Sequence, residues 1–375
     1  MNSLIKTGHL GRFELFSLAV LAAVADIFLN YPQQLVLMGG PAGWMIPLIS
    51  MGICLGIWAV IGPVLSKRGD GNLLSLIRGR SGRWAVGIVS VIVVILLMLD
   101  MATTMRVFVE TVITTLLPRS PISFIAVPLL LVIVYFAYSG VEGLSRVAWF
   151  VTPWFLIGLT VLLLLNTNWM NPEYILPLWG TGIPGLLFSG GIVTGVFLNV
   201  LILVFLSPLL RNPKDSMKIG FWSIVAVGFI YSIVTLVFIM AFPTETSSKT
   251  AIPLYQLARL IYIGRFLQRL EAAFAFFWIA VALIKIAVSL WISTYLIAAA
   301  FRMPVNRPLV FPMGLVMYSL AFFPKSFPEA LEANNFFRLH WGWTVVVGLP
   351  LVLLLWVRFR NRKEGTGNHE ASQTS

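Results

Sequence analysis

The chain is poor in the residues that build catalytic and metal centres. Its 375 residues include one cysteine, Cys54, and three histidines, His9, His340 and His369. A single cysteine excludes an intramolecular disulfide framework, and three histidines near span ends or in tails do not make a metal site. Charge is scarce as well: Asp, Glu, Lys and Arg together make up 11%, against about 25% in an ordinary soluble domain. No G-x-S-x-G, H-E-x-x-H, Walker loop or paired Cys/His spacing occurs. Nothing therefore points to catalysis, and no cofactor is expected.

What fills the chain is apolar. Hydrophobic residues make up 59% and the mean hydropathy is +0.92, which places the chain among polytopic membrane proteins. The formal net charge of +12 does not indicate nucleic-acid binding, because the basic residues gather in short loops and in the tail, as the positive-inside bias requires.

Hydrophobic runs punctuated by Pro, Gly and charge predict about ten spans, at 13–38, 43–66, 84–117, 121–138, 146–166, 186–209, 217–242, 269–302, 307–324 and 340–358. Lys6 and Arg12, Lys67 to Arg83, Arg146, Arg211 to Lys218, Arg302 and Arg307, and Arg358 to Lys363 then fall on one side. Both termini are accordingly expected in the cytoplasm. Lys249, Arg259 and Arg265 go against this pattern. The apolar run after Lys6, His9 and Arg12 is too long for a signal-peptide core and is read as a retained first span.

Ten spans divide into five and five: residues 1–12 as a cytoplasmic N-terminus, 13–166 and 186–358 as two transmembrane repeats, and 359–375 as a basic and then disordered tail. Amphipathic segments at Leu73 to Arg83 and Ile252 to Phe266 occupy matching places on opposite faces, the arrangement of an inverted repeat. The first span of each repeat is then expected to be discontinuous. Span one carries Asp26, Phe28, Asn30 and Pro32 within two turns, and proline removes a helix donor. Span six carries Ser189, Gly190, Gly191, Thr194 and Gly195, which can unwind and expose backbone groups. Close helix packing through small residues is the competing reading of that run.

Three charges lie about midway along their spans: Asp26, Asp100 and Lys285. A lone ammonium at such depth costs at least about 2.5 kcal/mol, so the three are expected to share one polar cavity. Lys285 then offsets one carboxylate, and the other must take a proton or meet a further cation. A structural ion pair is the alternative. Thr103 and Thr104 follow Asp100, and Ser289 follows Lys285, at helical spacing. Arg106 with Glu110, and Glu142 with Arg146, read as structural pairs.

Several blocks together resemble the B subunit of spore germinant receptors, endospore germination permeases within the amino acid, polyamine and organocation transporter superfamily. The most specific is Ile252-Pro253-Leu254-Tyr255-Gln256-Leu257-Ala258-Arg259 with Gly264, Arg265, Phe266, Arg269, Leu270 and Glu271, leading to Trp278 and Lys285. Others are Arg106 to Glu110 closing at Leu117 to Pro121, and Gly140, Val141 and Glu142 with Arg146 and Pro153. The resemblance implies a leucine-transporter-like five-plus-five fold and a ligand pocket between spans one, three, six and eight. It also implies partnership with A and C receptor subunits in the spore inner membrane. It suggests a germinant sensor for a nutrient, an amino acid foremost, whose ligand contacts are Asp26, Phe28, Asn30, Asp100, Thr103, Gly190, Gly191 and Thr194, with Lys285, Ser289 and Asp26 gating. The rivals are a stand-alone proton-coupled amino-acid permease and a water or ion conduit. One departure stands out: Ala25-Asp26-Ile27 replaces the Gly-Ser-Gly type of break common in such proteins.

Overall fold

The computed structural model describes residues 10–67, 73–261 and 270–348. These residues fold into helices, with one isolated bridge in which Leu10 pairs with Leu210. Lys6, His9, the Gly264 to Arg269 stretch and the tail 359–375 lie outside the described residues, as does most of the tenth expected span.

The helices are α1 (Arg12–Val24), α2 (Tyr31–Gly39), α3 (Ile46–Lys67), α4 (Leu73–Thr115), α5 (Ile122–Ser139), α6 (Val141–Leu165) and α7 (Ile183–Val193). After α7 come a short α8 (Ile202–Leu206), α9 (Asp215–Ala241), α10 (Thr244–Ser247), α11 (Pro253–Leu260), α12 (Leu270–Phe301), α13 (Arg307–Ala321) and α14 (Phe327–Phe336). Among the described residues, seven helical stretches are long and apolar enough to cross a membrane, and Arg307–Ala321 is a shorter apolar helix. The difference from ten has identifiable sources. The first expected span is cut at Asp26, leaving a 13-residue α1, and α13 has 15 residues. The tenth is described only as far as Gly348.

The break in the first span follows from Pro32. Its ring would collide with the carbonyl of Phe28 four residues back, and it has no N–H to donate there. The chain answers with a 3-10 turn over Ala25–Phe28 and an off-helix Leu29 at φ −87°, ψ −146°, before α2 starts at Tyr31. The sixth span is also interrupted, one turn later than its glycine run. Helix α7 continues through Gly190 and Gly191 to Val193, and a 3-10 stretch occupies Thr194–Leu201. Eight residues of 3-10 geometry exceed the usual three or four.

The segment Leu73 to Arg83, expected as a separate amphipathic element, is instead the start of α4, a 43-residue helix about 65 Å long. Its counterpart in the second half, α11, is a separate 8-residue helix. The two do not correspond in form. Helix α12 lies at the centre, packed against α1, α4, α5, α6 and α13. That position puts its midpoint, Lys285, beside the first break.

Candidate functional site

Lys285 is fully buried, and its ammonium finds the partners its depth demands. Nζ lies 2.6 Å from Asp26 Oδ1 and 3.2 Å from Asp100 Oδ2, and donates to Thr104 Oγ1 at 3.0 Å. A second cation joins them. Arg338 Nη1 lies 2.6 Å from Asp26 Oδ2, while Nη2 donates to Asp100 Oδ1 and to Thr104 Oγ1, each at 3.2 Å. The result is a closed ring of alternating charge: Asp26 gives one oxygen to the ammonium and the other to the guanidinium, while Asp100 Oδ1 accepts from both cations, at 3.5 Å from Lys285 and 3.2 Å from Arg338. All four side chains are buried, and their formal charges cancel.

This ring is balanced in charge, while Asp100 Oδ2 and Arg338 Nε are buried with no hydrogen-bond partner among the described residues. Two acids placed in an apolar interior without cations would be driven to protonate, whereas here each is compensated twice and Thr104 accepts from both cations. Its elements come from distant parts of the sequence: the 3-10 turn after α1, the middle of α4, the middle of α12, and a π-helical segment over Phe337–Gly342. Arg338 is the member that the expected site lacked. It falls two residues before the expected tenth span, so its depth was not visible in the hydropathy pattern.

The remaining expected residues divide by position. Asn30 Nδ2 donates to Asn335 Oδ1 at 3.0 Å, tying the first break to α14. Phe28 stands in an aromatic cluster with Phe155, Phe274 and Trp278 at centroid distances of 5.8, 5.4 and 6.3 Å. The cavity that Phe28 and Trp278 share with Tyr255 of α11 measures only ≈ 10 Å³, room for about one water. Thr103 turns its hydroxyl to its own helix, donating to the Leu99 carbonyl at 2.8 Å, so Thr104 is the threonine that reaches the ring. Thr194 Oγ1 donates to the Gly191 carbonyl at 2.7 Å. Ser289, one turn from Lys285, is buried with no hydroxyl partner among the described residues.

Arg106 pairs with Glu110 at 2.8 Å and lies over the Phe322 ring at 5.0 Å, which anchors α13 to α4. The expected Glu142 and Arg146 pair does not form among the described residues. Both sit in the first turns of α6 with Arg146 exposed, where an ion pair gains at most about 1 kcal/mol against side-chain entropy.

The two adjacent glycines of the sixth span differ in kind. A Cβ on Gly190 would stand 2.4 Å from Ile49 Cγ2, and the Gly190 carbonyl accepts from Ser50 Oγ at 2.7 Å, so this glycine seats α7 on α3. A Cβ on Gly191 meets nothing within 4 Å. Gly190→Ala is therefore expected to destabilise the protein by about 1–3 kcal/mol through overpacking against a stiff β-branched side chain. Gly191→Ala should be neutral or stabilising by up to about 1 kcal/mol. Melting curves of the two purified variants check the contrast, and equal effects would contradict it.

Residues 9–329 match the family described as spore germination protein. The chain is 25% identical over 279 residues to spore germination protein KB of Bacillus subtilis (strain 168), covering 72% of this chain and 75% of that protein. It is 26% identical over 301 residues to the putative spore germination protein YfkT of the same organism, covering 80% and 82%. In structure it is similar to Mhp1, a nucleobase-cation-symport-1 family transporter, with a TM-score of 0.67 at 13% identity, covering 94% of this chain and 80% of that one. A Na+-coupled sialic acid symporter gives a TM-score of 0.57 at 13% identity, covering 90% and 75%. At such identity the structural likeness shows the fold alone: an all-α, polytopic membrane protein whose fold resembles that of these transporters. The match over residues 9–329 covers most of the sequence, and the chain belongs to the spore germination protein family.

Proposed function

We propose that this protein is the B-type, germinant-sensing subunit of a spore germination receptor. It binds a small nutrient, an amino acid foremost, between the interrupted spans and passes the resulting change of shape to A and C subunits in the spore inner membrane. In this reading the chain crosses the membrane ten times as a five-plus-five inverted repeat, 13–166 and 186–358, with both termini in the cytoplasm. The ligand's polar ends meet Asp26, Phe28 and Asn30 at the first break and Thr194 at the second. Asp100 and Thr103 flank the site on α4, Gly190 and Gly191 lie in the turn before the second break, and Lys285 and Ser289 gate it.

The observation that carries this reading is the charge balance of the buried ring, two acids against two cations of the chain itself. Lys285, on α12, stands beside the first break with its ammonium on both acids. Here the compensating cations are covalently part of the chain and cannot be carried across with a substrate. A site with tethered cations can change state on binding without ion-driven turnover, which suits a sensor. The water-sized cavity beside Phe28 and Trp278 fits a closed resting state that a ligand must open.

The test uses purified protein and a panel of amino acids, sugars and nucleosides. Saturable thermal stabilisation by one ligand, with no net flux of that ligand into liposomes containing only this chain, is the expected result. Net flux would move the assignment to the stand-alone permease, and ligand-independent permeability to a conduit.

A further inference from the structure

The geometry points to Arg338 as the latch that makes the conformation of each interrupted span depend on the other. This goes beyond ligand sensing and holds whatever the ligand is.

Two independent sets of contacts meet in the segment that carries Arg338. On one side its side chain holds the first break, through the 2.6 Å pair with Asp26, and the neighbouring Asn335 accepts from Asn30 at 3.0 Å. On the other side its backbone is seated on the second break. A Cβ on Gly195 would come 2.7 Å from the Arg338 carbonyl oxygen and 3.0 Å from Gly342 Cα. A Cβ on Gly342 would come 2.9 Å from Gly195 Cα. Main chain meets main chain here, and neither side can rotate away as a side chain could.

Lys285 provides the contrast. It reaches Asp26, Asp100 and Thr104, which belong to the first break and α4, and has no polar contact with Thr194–Leu201 among the described residues. The two cations therefore share the same acids but not the same mechanical role. Helix α1 also packs on Thr194–Leu201, and Tyr31 Oη donates to the Val193 carbonyl at 3.4 Å. Those contacts involve no charge and are present whichever cation is removed.

The latch is built on a π-helical turn. Such turns contain one residue more than the α-helix and recur at functional sites, and converting one to α geometry rotates the downstream chain by about 100° relative to the upstream helix. Arg338 is the second residue of this turn. A rearrangement of Phe337–Gly342 that carries Arg338 with it would withdraw the guanidinium from the carboxylates and lift the main chain from Gly195 in one movement.

Hydrogen–deuterium exchange on the purified full chain, without ligand, separates this from a purely local salt bridge. Arg338→Met is expected to raise amide exchange about tenfold or more in both 25–30 and 194–201, with Ile122–Ser139 unchanged. Lys285→Met is expected to raise exchange in 25–30 and leave 194–201 as it was. A rise confined to one break in Arg338→Met, or in neither, overturns the assignment, as does an equal response of both breaks to Lys285→Met. If Arg338→Met loses protection throughout the molecule, Arg338→Lys decides. It keeps the charge but lacks the fork that reaches both acids, so both breaks should still loosen together, and unequal loosening rejects the latch.

Discussion

Replacing Lys285 with methionine is expected to lower the melting temperature of the purified protein by roughly 4–6 °C. The change leaves an unbranched apolar side chain one atom shorter and removes the ammonium with its hydrogen bonds to Asp26 and Thr104. Asp26 and Asp100 would then face Arg338 alone, leaving one uncompensated carboxylate among buried groups. Breaking a buried pair from one side costs about 3–5 kcal/mol, because the remaining charge has been taken out of water and cannot return to it. In a chain of this size each kcal/mol moves the midpoint by about 1.3 °C.

The double variant Asp26→Asn with Lys285→Met gives this prediction its force. It removes one charge of each sign and leaves Arg338 opposite Asp100 at 3.2 Å, a balanced pair. It should melt well above the Lys285→Met single variant, with a coupling energy of about 2 kcal/mol or more in the cycle. If the double variant melts no higher than the worse single one, the ring is not the energetic unit that its distances describe.

Much of this site was legible in the sequence because intramembrane charge is so costly. Three charges at one depth had to meet, and Asp26, Asp100 and Lys285 do. Two acids and one lysine leave a surplus carboxylate, and the cation that balances it is Arg338. Hydropathy could not place it, since Phe336-Phe337-Arg338-Leu339 lies at a span edge, and edges are where arginine is common and uninformative.

The breaks divide in the same way. Pro32 removes a helix donor and crowds the turn before it, and with Asp26 and Asn30 close by the first break could be read locally, although Pro63, Pro128, Pro153 and Pro312 sit inside continuous helices. Glycines permit unwinding without requiring it, and Gly190 serves packing against Ile49 while the chain stays helical to Val193. Tertiary contact decides such cases. The start of α4 is another: Leu73 to Arg83 reads as a separate amphipathic segment, yet the helix runs from Leu73 without a break.

Gly195→Val should be among the most damaging single substitutions in the chain, although it removes no polar contact. Its Cβ would fall 2.7 Å from the Arg338 carbonyl oxygen and 3.0 Å from Gly342 Cα, and both neighbours are main chain. The strain can be relieved only by moving Phe337–Gly342 off the second break, and that segment carries the guanidinium lying 2.6 Å from Asp26. Overpacking alone costs about 1–3 kcal/mol, and withdrawing one cation from the ring adds its own penalty, so a loss of about 3 kcal/mol or more is expected in melting measurements. Because the damage is transmitted through Arg338, it should not add to the loss of that side chain. In a cycle with Arg338→Met, the second substitution should cost markedly less in the presence of the first than alone. Simple additivity would mean that the glycine contact and the charge ring are separate features that happen to share a segment, and the mechanical link between the two breaks would have to run elsewhere.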